Sequence, residues 1–141
     1  MVNSVINAIT KQLGDYYGKS YRYYKEDVEQ DLKKPCFTVA PLIPITRSKS
    51  PTLYERTIPI VVHYFNDGKQ EIKNEYYDMG EQIIECLEYL QLGSSIIRGE
   101  DISWQTVDDV LQLFITYRFT TRKVVEPEET IDTLENRVSH S

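Results

Sequence analysis

The fold is decided by residues 54–65, which read YERTIPIVVHYF. Alternate residues of a strand lie on opposite faces, and one face of this stretch consists of Ile58, Ile60, Val62 and Tyr64. The other face is also largely apolar and consists of Pro59, Val61, His63 and Phe65. A strand that is apolar on both faces is normally covered on both faces. Because the chain is small and has few helices, we expect another copy of it to supply part of this cover.

Prolines predict that the preceding segment is not a central strand paired on both sides throughout its length. Residues 36–46, CFTVAPLIPIT, alternate in strand fashion. Pro35, Pro41 and Pro44 lack a backbone N–H, so a strand here cannot be paired on both sides throughout. The next residues, 47–52, contain two bases, two serines and a proline. This composition predicts an exposed hairpin loop.

Two amphipathic helices are predicted, one before and one after these strands in the sequence. Residues 2–13 carry an apolar stripe at helical spacing, and Gly14 is a stop signal. Residues 74–92 carry a second stripe, with an acidic opposite side. Asn74 can cap the start of this second helix, and Gly93 sits just past its end.

The remaining elements complete an α+β pattern. A short strand is predicted at residues 21–24, and two or three strands follow the second helix. These turn at Asp108-Asp109 and end in a long alternating strand over residues 111–119. The order α-β-β-β-α-β-β predicts a single α+β domain over residues 1–125, with two helices packed on an antiparallel sheet.

The acidity of the chain is concentrated at its C-terminal end. The 141 residues include 22 acidic and 16 basic ones, a formal charge of −6. Residues 126–141 hold five acids against one arginine and account for −4 of it. The formal charge of −6 argues against a domain that grips nucleic acid phosphates with its whole surface, whereas the small charge of residues 1–125 says little about partners.

The acidic tail, residues 126–141, has two interpretations. Ile131, Leu134 and Val138 recur at helical spacing, and Thr130 is able to cap a helix there. The tail is therefore either a short docking helix or a solvated, frayed end.

Residues able to carry catalysis are few. Cys36 and Cys86 are expected to be buried small hydrophobes, and with His63 and His140 they do not form a zinc set. The sequence contains no phosphate-binding glycine loop, nucleophile elbow or HExxH motif. Acidic pairs fall in predicted loops, where acids are common: Glu26/Asp27, Glu100/Asp101 and Asp108/Asp109. We expect no enzyme, no metal and no cofactor.

Composition also limits the class of protein. The two cysteines, the lack of an apolar leader and the lack of 18 consecutive apolar residues argue against a disulfide scaffold, secretion and a membrane span. Eleven tyrosines stand against one tryptophan and four phenylalanines. Tyrosine clusters can stack nucleobases, which keeps a small single-stranded nucleic-acid-binding module as an alternative. Few bases lie among them, so protein interfaces are favoured.

Nine residues are candidates for interaction with partner proteins. They come from the predicted hairpin loop, the second face of the decisive strand and the acidic tail: Arg47, Lys49, Arg56, Val61, His63, Phe65, Ile131, Leu134 and Val138. We expect the loop to project from the sheet and to contact another protein or a neighbouring copy.

A family resemblance narrows the alternatives. Residues 28–39, VEQDLKKPCFTV, resemble the segment V-P-Q-G-F-K-x-P-C-F-F-I of small tail terminator, or tail completion, proteins encoded by phages and prophages of Gram-positive bacteria. The similarity continues through the strand over residues 54–65, which ends in HYF, the acidic second helix and residues 108–113, and so covers most of the predicted domain. The chain departs from the family segment at Glu29, Asp31 and Leu32.

The resemblance implies an assembly protein. Tail terminators are α+β subunits that form a hexameric ring on the last ring of the tail tube, end its polymerisation and present the surface that joins the head. The implied partners are other copies of the chain, the tail tube protein and head–tail connector proteins, without a membrane or sequence-specific nucleic acid. The implied location is the virion tail or neck, after assembly in the host cytoplasm. Another neck component, such as a head-completion or stopper protein, is the alternative.

Overall fold

The computed structural model describes residues 1–25, 32–68 and 72–123, the side chains of residues 72–74 excepted. In these ranges the chain forms two helices and seven strands. The helices are α1 (Val2–Tyr17) and α2 (Ile72–Leu87). The strands are β1 (Arg22–Lys25), β2 (Cys36–Pro41), β3 (Ile45–Ser50), β4 (Leu53–Phe65), β5 (Tyr89–Leu92), β6 (Ser95–Val107) and β7 (Val110–Arg122).

Strands β4 and β7 form the centre of the sheet. They are antiparallel partners over residues 53–64 and 111–122. The strand order is β1-β2-β4-β7-β6-β5, and β3 pairs with β4 beside this path. Along the outer edge of β4, β2 pairs with residues 60–65 and β3 pairs with residues 53–57. Strands β1 and β2 are parallel, whereas the other described pairs are antiparallel.

The predicted α+β class, with two helices packed on one mainly antiparallel sheet, is confirmed. The observed order is α-β-β-β-β-α-β-β-β, which has one more strand on each side of α2 than the sequence pattern indicated. Residues 47–52, expected to be a loop, lie mostly in β3. The Ser50 hydroxyl accepts hydrogen bonds from the backbone N–H groups of Thr52 and Leu53 at 3.3 and 3.1 Å. The turn is therefore confined to residues 51–52.

The second additional strand arises where the long helix was expected to continue. Helix α2 ends at Leu87 instead of residue 92. The Gln12 side chain of α1 donates to the carbonyls of Cys86 and Tyr89 at 2.9 and 3.0 Å, and its oxygen accepts the N–H of Gln91 at 2.7 Å. A side chain 74 residues away therefore holds the chain in its extended course after α2.

The first helix runs past its expected stop. Helix α1 continues through Gly14 to Tyr17 and is closed by Gly18, which has a φ of +82°. The Gly18 N–H donates to the Gly14 carbonyl at 2.9 Å, a contact typical of a helix end. The turn predicted at Asp108-Asp109 is present, with both residues at positive φ.

Both helices contribute to a single apolar core on one face of the sheet. The face of β4 predicted to be buried lies entirely in this core, as Ile58, Ile60, Val62 and Tyr64 are at most 2% exposed. The Tyr117 hydroxyl donates to the Leu87 carbonyl at 2.6 Å, so even the polar tip of this core ring has a partner. The predicted domain boundary at residue 125 lies outside the described residues and stays a prediction.

Candidate assembly surfaces

The sheet face opposite the helices is formed by side chains from β2, β4 and β7. The register places Cys36 beside Phe65, Thr38 beside His63 and Ala40 beside Val61. Val61 is only 7% exposed yet lies outside the core cluster formed with the helices. His63 and Phe65 are half-buried. We call this surface the open face.

The interactions on the open face are those of a packed surface. The His63 Nδ1 atom lies 3.2 Å from the Thr38 hydroxyl, and the His63 ring meets the Phe65 ring edge-on at 6.2 Å. The Lys34 Nζ atom lies 5.9 Å from the centre of the Phe65 ring. Such contacts orient His63 within the sheet surface, which suits a contact residue.

The hairpin of β3 and β4, residues 45–57, extends the sheet and is called the hairpin arm. Residues 118–122 of β7 complete it as a third strand. Arg47 is exposed and lies opposite Glu55 in the register, and the exposed Lys49 Nζ lies 3.3 Å from a Glu55 carboxylate oxygen. The arm therefore presents two basic side chains around one acid.

The third predicted basic residue lies on the other face of the arm. The Arg56 guanidinium donates to the hydroxyls of Thr121 and Thr46, each at 3.2 Å, and stacks near the Tyr54 ring at 5.7 Å. Arg56 thus joins the three strands of the arm. The structure brings Arg47 and Lys49 together but separates Arg56 from them.

An exposed apolar segment links β2 to the arm. Leu42, Ile43 and Ile45 are exposed, and Ile43 reaches 81% exposure. The Leu42 N–H donates to the Pro59 carbonyl at 2.8 Å, which ties this link to β4. We call these three side chains the apolar ridge. Sequence patterning assigned them to strand faces, whereas the prolines on either side of Leu42 and Ile43 were the available signal for a break.

A cleft of about 400 Å³ lies on the other flank of the arm. It is bounded by the start of α1, the β5–β6 turn and the end of β7. The lining residues are Met1, Ser4, Leu92, Gly93, Ser95, Ile97, Phe119, Thr120 and Thr121. We call this the apolar cleft, since its larger lining side chains are hydrocarbon or aromatic. No sequence motif marks it, because its residues come from three separate segments.

The acidic pairs in the described residues have structural partners. Glu100 and Asp101 both accept hydrogen bonds from the Arg118 guanidinium, at 2.5 and 3.1 Å. Asp108 and Asp109 form the β6–β7 turn. Glu26 and Asp27 lie outside the described residues, as do the tail candidates: Ile131, Leu134 and Val138.

The thiols are held in their protonated form. Burial raises the pKa of the Cys36 thiol, although Lys34 opposes this shift. Burial, together with the charge of Asp15, raises the pKa of the Cys86 thiol to about 11. Neither residue therefore has the lowered pKa of a reactive cysteine. The described residues contain no group of three potential metal ligands, and none of their helices is long and apolar enough to cross a membrane.

Three of the clustered tyrosines pack into the protein, whereas Tyr16 and Tyr77 are exposed. The rings of Tyr17, Tyr21 and Tyr23 lie 5.0–5.7 Å from the ring of Phe37, which is fully buried. The Tyr23 hydroxyl donates to the Gly18 carbonyl at 2.7 Å. These rings surround one end of the core and do not form an open stacking platform.

Comparison with known proteins identifies the family. The family model of the phage tail terminator protein matches residues 4–130. One solved structure covers 88% of this chain and 96% of its own chain, at 14% identity and a TM-score of 0.44. No curated protein matches the sequence. The resemblance found in the sequence is confirmed by the family model. The chain belongs to the phage tail terminator family, whose members are structural proteins of the phage tail and not enzymes.

Proposed function

We propose that this protein caps the phage tail tube. Copies of the chain form a ring on the terminal ring of tube protein, end its polymerisation and present part of the surface that joins the head. The observation that carries this proposal is the family match over residues 4–130, which includes nearly all of α1 and every other described element. A host among Gram-positive bacteria stays a prediction.

The hairpin arm is the proposed contact with the tube protein. It projects beyond the helix-covered core, and Arg47 and Lys49 are exposed on it. Two basic side chains with one acid give the surface a net positive charge that suits an acidic patch on a partner. The contact is electrostatic in part, so we expect it to weaken as salt rises.

The open face is the proposed second contact surface. Val61 is already largely buried within the subunit. A partner would therefore mainly bury His63 and Phe65, which are half-buried in the single chain. A neighbouring protein that packs there removes the remaining apolar area from water. The acidic tail, with Ile131, Leu134 and Val138, is a further proposed docking segment whose role the deletion of residues 126–141 tests.

Polymerisation of the tube protein tests the proposal. Tube growth is followed by light scattering, with this protein added at amounts from none to a large excess over growing tube ends. We expect growth to stop at low ratios of this protein to tube protein, because only tube ends bind it. Growth that continues unchanged at a large excess would contradict capping.

The same preparation separates the alternatives. A neck component such as a stopper protein would bind the head connector and leave bare tubes growing. A single-stranded nucleic-acid-binding module would shift labelled oligonucleotides in a salt-dependent way. The placement of the tyrosine rings around Phe37 argues against this last function, since stacking needs exposed rings.

A further inference from the structure

The apolar ridge and the apolar cleft lie on opposite flanks of the hairpin arm. The strand order within the arm is β3–β4–β7. The ridge leads into β3 at one edge, and residues 119–121 of β7 line the cleft at the other edge. With β4 between them, the two surfaces point away from each other and cannot meet within one chain.

The two surfaces are complementary in form and chemistry. The ridge presents three exposed aliphatic side chains, of which Ile43 is the most exposed. The cleft is concave, and Leu92, Ile97 and Phe119 supply apolar walls between smaller residues. An aliphatic side chain inserted there exchanges water for hydrocarbon contacts on both partners.

Each of the two surfaces also lies beside a strand edge that faces outward. Among the described strands, β3 pairs with β4 alone, so its outer backbone edge faces outward. The pairing of β7 with β6 ends at Tyr117, and residues 118–122 present a second outward edge. Exposed strand edges are templates for pairing with another strand. An edge beside the ridge therefore has a matching edge beside the cleft.

We propose that the apolar cleft binds the apolar ridge of a second copy of this chain. The contact is head-to-tail, because each subunit offers a ridge on one flank and a cleft on the other, and repetition of such a contact closes a ring. This inference rests on the proposed function, which it deepens by naming the surfaces through which the ring closes.

Site-specific cross-linking tests the contact. The double variant Ile43→Cys/Ser95→Cys, in a Cys86→Ala background, places one thiol on the ridge and one in the cleft. A short bis-maleimide should link it into a ladder of multimers on a denaturing gel. The matched controls are the two variants with one introduced cysteine each, which a head-to-tail contact leaves uncross-linked because the remaining Cys36 is buried. The reaction is run with the concentrated protein alone and with tubes present.

Self-association of full-length variants provides the second measurement. Ile43→Asp places a charge at the centre of the contact, and we expect association to weaken roughly tenfold or more in sedimentation velocity. Ser95→Arg fills the cleft and should have a similar effect. The control is Val107→Asp, which changes an exposed apolar residue at the β6–β7 turn and should leave association unchanged. Circular dichroism verifies that each variant is folded.

The outcomes distinguish this inference from capping itself. A ladder from the double variant, with none from either single variant, supports the ridge–cleft contact. A cross-linked dimer from one single variant, or no ladder both alone and with tubes, overturns it even if the tubes are capped. A ladder without capped tubes supports the contact and contradicts the proposed function.

Discussion

Gly80 shows how one residue sets the distance between α2 and the sheet. A Cβ atom there would lie 2.6–2.9 Å from three atoms of the Trp104 indole, closer than real side chains approach. The helix therefore rests directly on the flat face of the ring. Gly80 lies within the helix predicted over residues 74–92, but the need for a glycine there depends on Trp104, 24 residues away in β6.

Replacing this glycine gives a prediction with a defined sign. Gly→Ala inside a helix normally stabilises by up to about 1 kcal/mol. We expect Gly80→Ala to lower the free energy of unfolding by about 1–3 kcal/mol instead, because the methyl group displaces Trp104. Urea titration followed by the fluorescence of this tryptophan measures the change.

The matched control is Gly14→Ala in α1. A Cβ atom at Gly14 meets its nearest atom, Cε2 of Tyr23, at 3.9 Å, an ordinary contact. This variant should be neutral or stabilised. Equal effects of the two substitutions would contradict the close packing of α2 on Trp104.

Buried cysteine and tyrosine side chains predict a loss of stability at alkaline pH. Burial raises the pKa of Cys86 to about 11 and raises the pKa values of Tyr64 and Tyr117 as well. Folding thus favours the protonated forms of these groups. Their contribution to the free energy of unfolding is complete below pH 9, and it decreases at higher pH because these groups ionise in the unfolded chain. Urea midpoints from pH 7 to 11, under reducing conditions, should fall steadily above pH 9.

The Cys86→Ala variant measures how much of this alkaline loss of stability comes from the Cys86 thiol. Its urea midpoint should fall less between pH 9 and 11 than that of the unsubstituted chain. Parallel pH curves for the two proteins would show that Cys86 ionises equally in the folded and unfolded states, contrary to its burial.

At the scale of elements, the strength of the apolar pattern determined what could be predicted. Strands β4 and β7 alternate strongly and were predicted within a few residues. Strand β3 was missed because its residues are nearly all exposed and polar, so they carry no alternation. Strand β5 was missed because hydrogen bonds from Gln12 in α1 hold it, and no local pattern contains that information.

The same distinction, between local sequence pattern and tertiary contacts, determined which candidate surfaces could be predicted. The open face could be predicted, since Val61, His63 and Phe65 belong to one alternating strand. The basic cluster was predicted in part, because register determines that Arg56 faces Thr46 while Arg47 faces Glu55. The apolar cleft could not be predicted, since tertiary folding assembles it from three segments.

The exposed pair on the hairpin arm gives a prediction at this scale. Reversing both charges, with Arg47→Glu/Lys49→Glu, should leave the thermal midpoint within a few degrees of the original, because surface substitutions change stability little. Tube capping should be lost, since the contact becomes repulsive to its partner. The light-scattering assay of tube growth measures this.

A matched substitution on the other side of the molecule serves as the control. Lys11 is an exposed base on α1 whose side chain pairs with Asp15 at 3.6 Å. Lys11→Glu should leave capping intact. Normal capping by the double arm variant would remove the arm from the tube contact.

At the scale of the whole molecule, one core stabilises the fold and several outward surfaces stay exposed. The helices and one sheet face form the core, which includes nearly all the buried apolar residues. The hairpin arm, the open face, the apolar ridge and the apolar cleft are the surfaces that we propose for contacts with other copies and other proteins. This division fits a structural subunit of a phage tail, in which assembly is the activity.

Electron microscopy of tube ends tests the central claim most directly. Tubes of purified tail tube protein are grown with and without this protein and imaged after gold labelling of an affinity tag on it. The account predicts a labelled ring at one end of each tube and shorter tubes of narrow length distribution. Unlabelled ends, with tubes as long as those grown in its absence, would contradict it.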